Sequence, residues 1–487
     1  MSFALLVWLS LFAILSVLAF VRPIYGVALY MLSFFACPTY WWWGKLEIGG
    51  YRWNLLAGII LLAAVAVNRI VSPAGARYAD ESPRVKLVCW LAVAIVANAT
   101  FVHYVLAPNR NVSALSYDLL AKFVLLFFMT IASPRSVADL RLMLLAILIG
   151  AGYIGYEATI NHRGKMHANR LEGIGAPGAG SANDLANLFI TIMPLAGVFL
   201  FSNRRWEKLV VLPIGGFFIN VILLCNSRGG FLATIVAGIA FLATVPAKER
   251  KKALCVLALG AFAAYWLMGD ERIISRFMTT FVGDEERDYS ASSRLDYWKA
   301  GLRMIADHPL GAGGKGFDRV YGPRYIHEVS GAEFEARSVH NGYINEMCEW
   351  GIQGGILRMA FLMATMVLMF ETSRRCSRNA DTMGSLLGAA LISGTMGYLF
   401  SCLFGSFMDA EWGFWMPALA VAYGRFYAEK RPVPTPQAET EWAPPEGIYG
   451  WPAYGSLPAP RDRARLRLEQ ARAGAASPTA ADRAASG

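Results

Sequence analysis

Apolar runs close to 20 residues long recur from the N-terminus to residue 427, each the length that carries a helix across a bilayer. Inside a membrane such a run must satisfy its own backbone hydrogen bonds, which leaves α-helices as the spanning elements. The runs fall near 3–21, 24–43, 54–72, 86–106, 115–132, 138–158, 183–201, 207–225, 229–246, 251–268, 345–370, 382–404 and 409–427. The second is short and ends in TYWWWGK, the aromatic composition of a membrane–water interface, so the count is twelve or thirteen. The sequence therefore predicts an all-α polytopic integral membrane protein. Only 16% of its 487 residues are charged, against about 25% in soluble domains.

The first run, FALLVWLSLFAILSVLAFV, has no basic residue before it and no small-x-small site behind it, and reads as a retained helix rather than a signal peptide. The seven cysteines are scattered, with no CxxC pair and no neighbouring histidines, which speaks against a metal site or a disulfide framework.

A net charge of +10 raises the question of nucleic acid. The charge is distributed otherwise. Loops NRIVSPAGARYADESPRVK, SPRSVADLR, SNRRWEK, AKERKK and SRRCSRNAD alternate along the chain and fall on one side, which the positive-inside rule makes cytoplasmic. The opposite side holds 107–114, 159–182, the CNSRGG turn, a long segment 269–340, and a 404–412 turn with Asp409 and Glu411. Topology explains the charge, and nucleic acid is not an expected partner. Arg170, Arg228 and Arg294 are basic residues on the wrong side, and they need a local reason.

The expected organisation is a membrane domain over 1–431 with one large outer loop at 269–340, followed by a disordered cytoplasmic tail over 432–487. Within the tail, RDRARLRLEQARA has the pattern of a basic helix on the inner leaflet. In the outer loop, Leu295, Trp298, Leu302 and Ile305 repeat at helical spacing. They predict an amphipathic helix against the outer membrane face, started by a capping box at Ser293–Asp296. Neither an internal repeat nor a second soluble domain is evident.

Several motifs could carry chemistry. GAGGKGF, 311–317, fails as a phosphate-binding P-loop, because Pro309 stands at the first glycine position and Gly316 follows Lys315. It reads as a Gly-rich turn, with Lys315 available to an anion. DEERD, 284–288, reads as a solvated charge run, so no essential divalent metal is expected. NSRGG, 226–230, holds Arg228 at a helix mouth, either as a residue snorkelling to headgroups or as a bidentate phosphate clamp. Arg170 precedes Ser181-Ala-Asn-Asp184, a capping box at the start of the next span, where free N–H groups favour an anion. In RSVHNGYINEMCEWGIQGG, 337–355, Ser338 can cap a helix whose first turn carries His340. Asn341, Asn345 and Glu349 then form a wet stripe opposite Tyr343, Met347 and Trp350. His340 is either a packed structural histidine or a base, and its company of outer-side arginines is the argument for the base.

Taken together, SRGGFLATIVAGIAFL, SRLDYWKAGLRMIADHPLGAGGKGF and SVHNGYINEMCEWGIQGGI resemble the core of the O-antigen ligase and Wzy-type polymerase superfamily. RLEGIGAPGAGSANDLANLFITIMPLAG resembles that family's earlier arginine-to-asparagine motif, and the likeness covers roughly 120–425. The N-terminal RPIYGVALYMLSFFACPTYWWWGK is similar to exosortase-associated O-glycosylation ligases. The resemblance implies a bacterial inner-membrane glycosyltransferase with a periplasmic site and no cofactor. Its donor would be a glycan on undecaprenyl diphosphate, and its acceptor a hydroxyl of a glycolipid, glycan or protein. By motif match His340 takes the place of the family histidine that activates the acceptor. Arg228, Arg170 and Arg294 take the place of diphosphate-holding arginines, with Asn341, Tyr343, Lys315 and Asp409 as accessory positions. A polymerase joining lipid-linked repeat units is the alternative enzyme, and a polysaccharide transporter or flippase the alternative from another class.

Overall fold

A computed structural model describes residues 2–71, 82–167, 169–267, 289–331 and 333–428. The acidic run 284–288 and the tail 432–487 lie outside the described residues. Every apolar run of the sequence contains a helix, although in 24–43 the helix stops at Phe35. In chain order these are α1 (Phe3–Val21), α2 (Pro23–Phe35), α3 (Trp53–Val71), α4 (Pro83–Phe101, prolonged by a π-helical turn to Leu106), α5 (Arg110–Ala132) and α6 (Val137–Thr159). A short hairpin follows, β1 (Lys165–His167) and β2 (Arg170–Glu172). Then come α7 (Ala182–Leu200), α8 (Arg205–Cys225), α9 (Arg228–Thr244), α10 (Arg250–Leu267), α11 (Tyr289–Asp307), α12 (Gly322–Ser330), α13 (Gly342–Arg378), α14 (Thr382–Ser401) and α15 (Trp412–Ala428).

Among the described residues nine helices are long and apolar enough to span a membrane, while α2 and α9 are apolar but shorter. The chain is thus an all-α polytopic membrane protein. The shortness of α2 follows from Cys37-Pro38 and the turns that carry the Trp41–Trp43 run across to α3.

Helix starts are written locally. Ser82, Asn109, Ser136, Ser181, Ser227 and Asp381 each accept an N–H of the following first turn through the side chain. The centre of the bundle is α14, packed among α7, α9 and α13. Small residues permit the close approach: a Cβ on Gly394 would stand 2.2 Å from the Thr191 carbonyl oxygen. At the end carrying the basic loops, Arg22 pairs with Asp139 at 2.5 Å, and buried Glu207 is held by Arg141 and Ser202. Inside the bundle, Arg358 pairs with Glu346 at 3.1 Å and lies over the Phe414 ring. Charges this deep persist because they are paired.

The most consequential irregularity is in α13. Gly351 (φ 80°, ψ 171°) breaks the helix in a conformation open to glycine alone. A break at this depth exposes backbone groups that need partners. The segment 309–313 supplies them: the Ile352 N–H donates to the Pro309 carbonyl at 2.9 Å, and the N–H groups of Ala312 and Gly313 donate to the carbonyls of Cys348 and Glu349 at 3.1 and 2.8 Å. Asn98 and Gln353 donate to the Trp350 carbonyl at 2.9 and 3.1 Å. A Cβ on Gly311 would lie 2.4 Å from the Gly351 nitrogen, so the glycines of GAGGKGF serve this docking.

Three local expectations need correction. Helix α11 begins at Tyr289, four residues before Ser293, so Ser293–Asp296 lies within the helix and does not start it. Its buried apolar side chains are Tyr297, Ala300, Met304 and Ile305, with Leu295 and Leu302 about half exposed. Helix α11 packs on α12 and the first half of α13, forming a small core that Ile305 and Trp298 of the predicted stripe join. Asn341, not Ser338, caps α13, accepting from the N–H groups of Tyr343 and Ile344. His340 therefore precedes the helix. Asn345 and Glu349 are buried rather than wet, joined by a 3.1 Å hydrogen bond, with segment 309–313 paired to the α13 backbone beside them.

Candidate active site

The candidate site lies at the bundle end opposite the basic loops, where hairpin β1–β2, the α8–α9 turn, α11 and the start of α13 meet. Arg170 opens β2, and its neighbour Leu171 is buried and anchors the strand. The Arg170 guanidinium donates to the Cys225 carbonyl at the end of α8 and to Oδ1 of Asn183 in the first turn of α7. Asn226 ends α8 in a left-handed conformation and donates to the Asn169 carbonyl, which ties hairpin to turn.

Asn183 joins two motifs. Its Oδ1 also accepts from the Ser227 hydroxyl at 2.8 Å, and Ser227 caps α9 by accepting from the Gly230 N–H. Arg228 is the next residue and the first of α9, so its side chain starts beside the Arg170–Asn183 contact. Gly229 is fixed by space: a Cβ there would meet the Phe404 side chain at 2.9 Å.

Arg294 arrives from α11. Burial, followed by the charges of Arg170 and Arg228, lowers its pKa. The three guanidinium groups are thus within electrostatic reach of one another, a concentration of positive charge suited to an anion.

His340 sits just ahead of α13 with a left-handed backbone (φ 57°). Burial first, then the charges of Arg294 and Arg337, bring its pKa down to about 4. The imidazole is therefore neutral at pH 7, with a lone pair to accept a proton. Its ring centroid lies 6.4 Å from that of Tyr297.

The structure brings His340, Arg170, Arg228 and Arg294 into one region. The accessory positions are divided. Asn341 is engaged as the α13 cap, and the Tyr343 hydroxyl donates to the Leu399 carbonyl at 2.7 Å. Lys315 and Asp409 meet each other at 3.6 Å, with Asp318 3.5 Å from the lysine. Burial opposes the Lys315 charge, yet Glu349, Asp409 and Asp318 outweigh it and raise its pKa. The anion expected near Lys315 is thus supplied by the protein's own carboxylates. Among the described residues no group of three His, Cys, Asp or Glu side chains is arranged to hold a metal.

Sequence reasoning passed over Asn183 as a site residue, although it stands inside the capping box it recognised. Ser406 carried no signal at all, being one serine in a turn, yet its hydroxyl donates to that of Ser338 at 3.0 Å.

No curated protein matches the chain. Residues 213–359 match a family model described as O-Antigen ligase, a stretch containing Arg228, Arg294, Lys315 and His340 but not Arg170 or Asp409. The match supports, in broad terms, a membrane enzyme of O-antigen ligase type. Residues 213–359 thus carry a likeness to the O-antigen ligase and Wzy-type superfamily.

Proposed function

We propose that the protein transfers a glycan from an undecaprenyl diphosphate carrier to an acceptor hydroxyl at the extracytoplasmic face of the bacterial inner membrane. Arg170, Arg228 and Arg294 hold the diphosphate, and His340 is the general base. The observation that carries this reading is the convergence of the three arginines, with Arg294 also within reach of His340. The acceptor oxygen attacks the anomeric carbon, His340 takes its proton, and the carbon–oxygen bond to the diphosphate breaks with its electron pair leaving on phosphate. Negative charge grows on the leaving group, where fixed guanidinium groups stabilise it without rearranging.

The depressed basicity of His340 has a use in this scheme. Without donor, its imidazole is a weak base beside Arg294 and Arg337. A docked diphosphate offsets those charges and strengthens the base when an acceptor proton must be removed. The lipid tail remains in the bilayer while the diphosphate reaches the arginines at the helix mouths. Ligation to a different acceptor is the reading adopted, on the strength of the matched family's description. The test is transfer from a purified lipid-linked glycan to candidate acceptors, scored by product mass. Elongated lipid-linked repeats with no transfer to any other acceptor would replace the ligase with a polymerase.

A further inference from the structure

The left-handed backbone at His340 is one that residues with a side chain rarely adopt, and it persists only where the surroundings impose it. On one side Val339 is buried in the small core of α11 and α12. On the other, two tethers run to the turn after α14. The Ser406 hydroxyl donates to the Ser338 hydroxyl at 3.0 Å, and the Gly342 N–H donates to the Cys402 carbonyl at 2.7 Å. His340 is therefore bracketed, two residues either way, by contacts to one turn. That turn is itself fastened. It runs on to Asp409, whose carboxylate lies 3.6 Å from Lys315 Nζ. Lys315 closes the segment threaded into the break of α13, and its own backbone is left-handed (φ 56°).

We propose that Ser406 is a positioning residue that fixes His340 through Ser338, and that the Lys315–Asp409 pair holds the 402–409 turn in place for this task. The inference rests on His340 acting as the base. It assigns the late acidic position a mechanical part: Asp409 acts through the turn and touches no reacting atom. The ion pair links the outer loop to the turn, so the same contact that seats the loop also sets the histidine.

The test uses the full-length protein in lipid nanodiscs with a lipid-linked glycan donor. Ser406→Ala is expected to lower kcat about tenfold, equivalent to about 1.4 kcal/mol of barrier, with donor KM and thermal stability unchanged. Joining the two positions directly gives an independent measurement. The two side chains meet, so Ser338→Cys with Ser406→Cys, once oxidised and the bond confirmed by peptide mass, is expected to keep the kcat of the wild type. Normal kcat in Ser406→Ala, or a rise in donor KM alone, sinks the proposal, as does an oxidised pair that is inactive until reduced. His340→Gln is measured alongside. If it transfers normally, the base reading fails; if it is inactive while Ser406→Ala is normal, only the positioning role fails.

Discussion

Arg170 and Asn183, thirteen residues apart, are joined side chain to side chain, and the same Asn183 oxygen receives the hydroxyl of Ser227. One amide oxygen thus registers the hairpin against the mouth of α9, where Arg228 begins. Asn183→Ala removes that shared acceptor and leaves the Arg170 guanidinium to its remaining contacts, such as the Cys225 carbonyl. Hydrogen bonds to charged groups are worth about 1.5–3 kcal/mol, so donor KM should rise at least tenfold, with a smaller change in kcat. Unchanged donor KM in a stably folded variant would show that Asn183 does not register the site.

Arg228→Lys keeps the charge and removes the planar fork. The variant should insert and fold as the wild type does yet lose most transfer. If transfer stays near normal, a point charge suffices and the bidentate clamp is wrong.

His340→Ala should retain donor binding, since the arginines remain, and lose about 10²–10⁴-fold in transfer, as expected for a missing general base. His340→Gln should fail equally, because an amide takes no proton in this range. Rescue by glutamine, with instability in alanine, would make His340 a packing residue.

The pH profile follows from the same group. The neutral imidazole is the active form, so transfer falls as pH drops through its pKa. With that pKa near 4 in the donor-free protein, the acid limb of kcat/KM should fall near pH 4. The limb of kcat, which reports the donor complex, should lie higher. Arg294→Gln removes one depressing charge and should move the kcat/KM limb upward, still below the ordinary histidine value because burial remains the larger cause. A limb that stays fixed in Arg294→Gln would show that Arg294 does not act on His340.

Gly351→Ala tests the break in α13. Its backbone at φ 80°, ψ 171° is costly to any residue with a Cβ, by about 1–3 kcal/mol. The new methyl would also press on Gln353 and Leu310. Thermal stability should drop clearly, and a variant as stable as the wild type would mean the helix does not need this break.

The helices were legible because each spanning run must be apolar and self-satisfied, so composition alone marks it. The candidate site was legible for a related reason: arginines on the side where the loop rule disfavours them stand out. What could not be read was set by contacts distant in sequence. Helix α11 found its core against α12 and α13, and Asn345 and Glu349 became interior because segment 309–313 pairs with the backbone beside them. The residues either side of the left-handed turn at His340, Ser338 and Gly342, are tied to residues 406 and 402, more than sixty positions away. No local spacing encodes such tethers.

The threading of 309–313 into α13 also bears on the order in which the protein is made. The N–H groups of Ala312 and Gly313 leave the ribosome before the carbonyls of Cys348 and Glu349 that receive them. The Pro309 carbonyl likewise waits for the Ile352 N–H. Segment 309–313 therefore completes its pairing only after the first half of α13 has been made. Excised or transplanted, it would leave both itself and that helix with backbone groups unmatched. Synthesis leaves the segment unfinished, and α13 completes it.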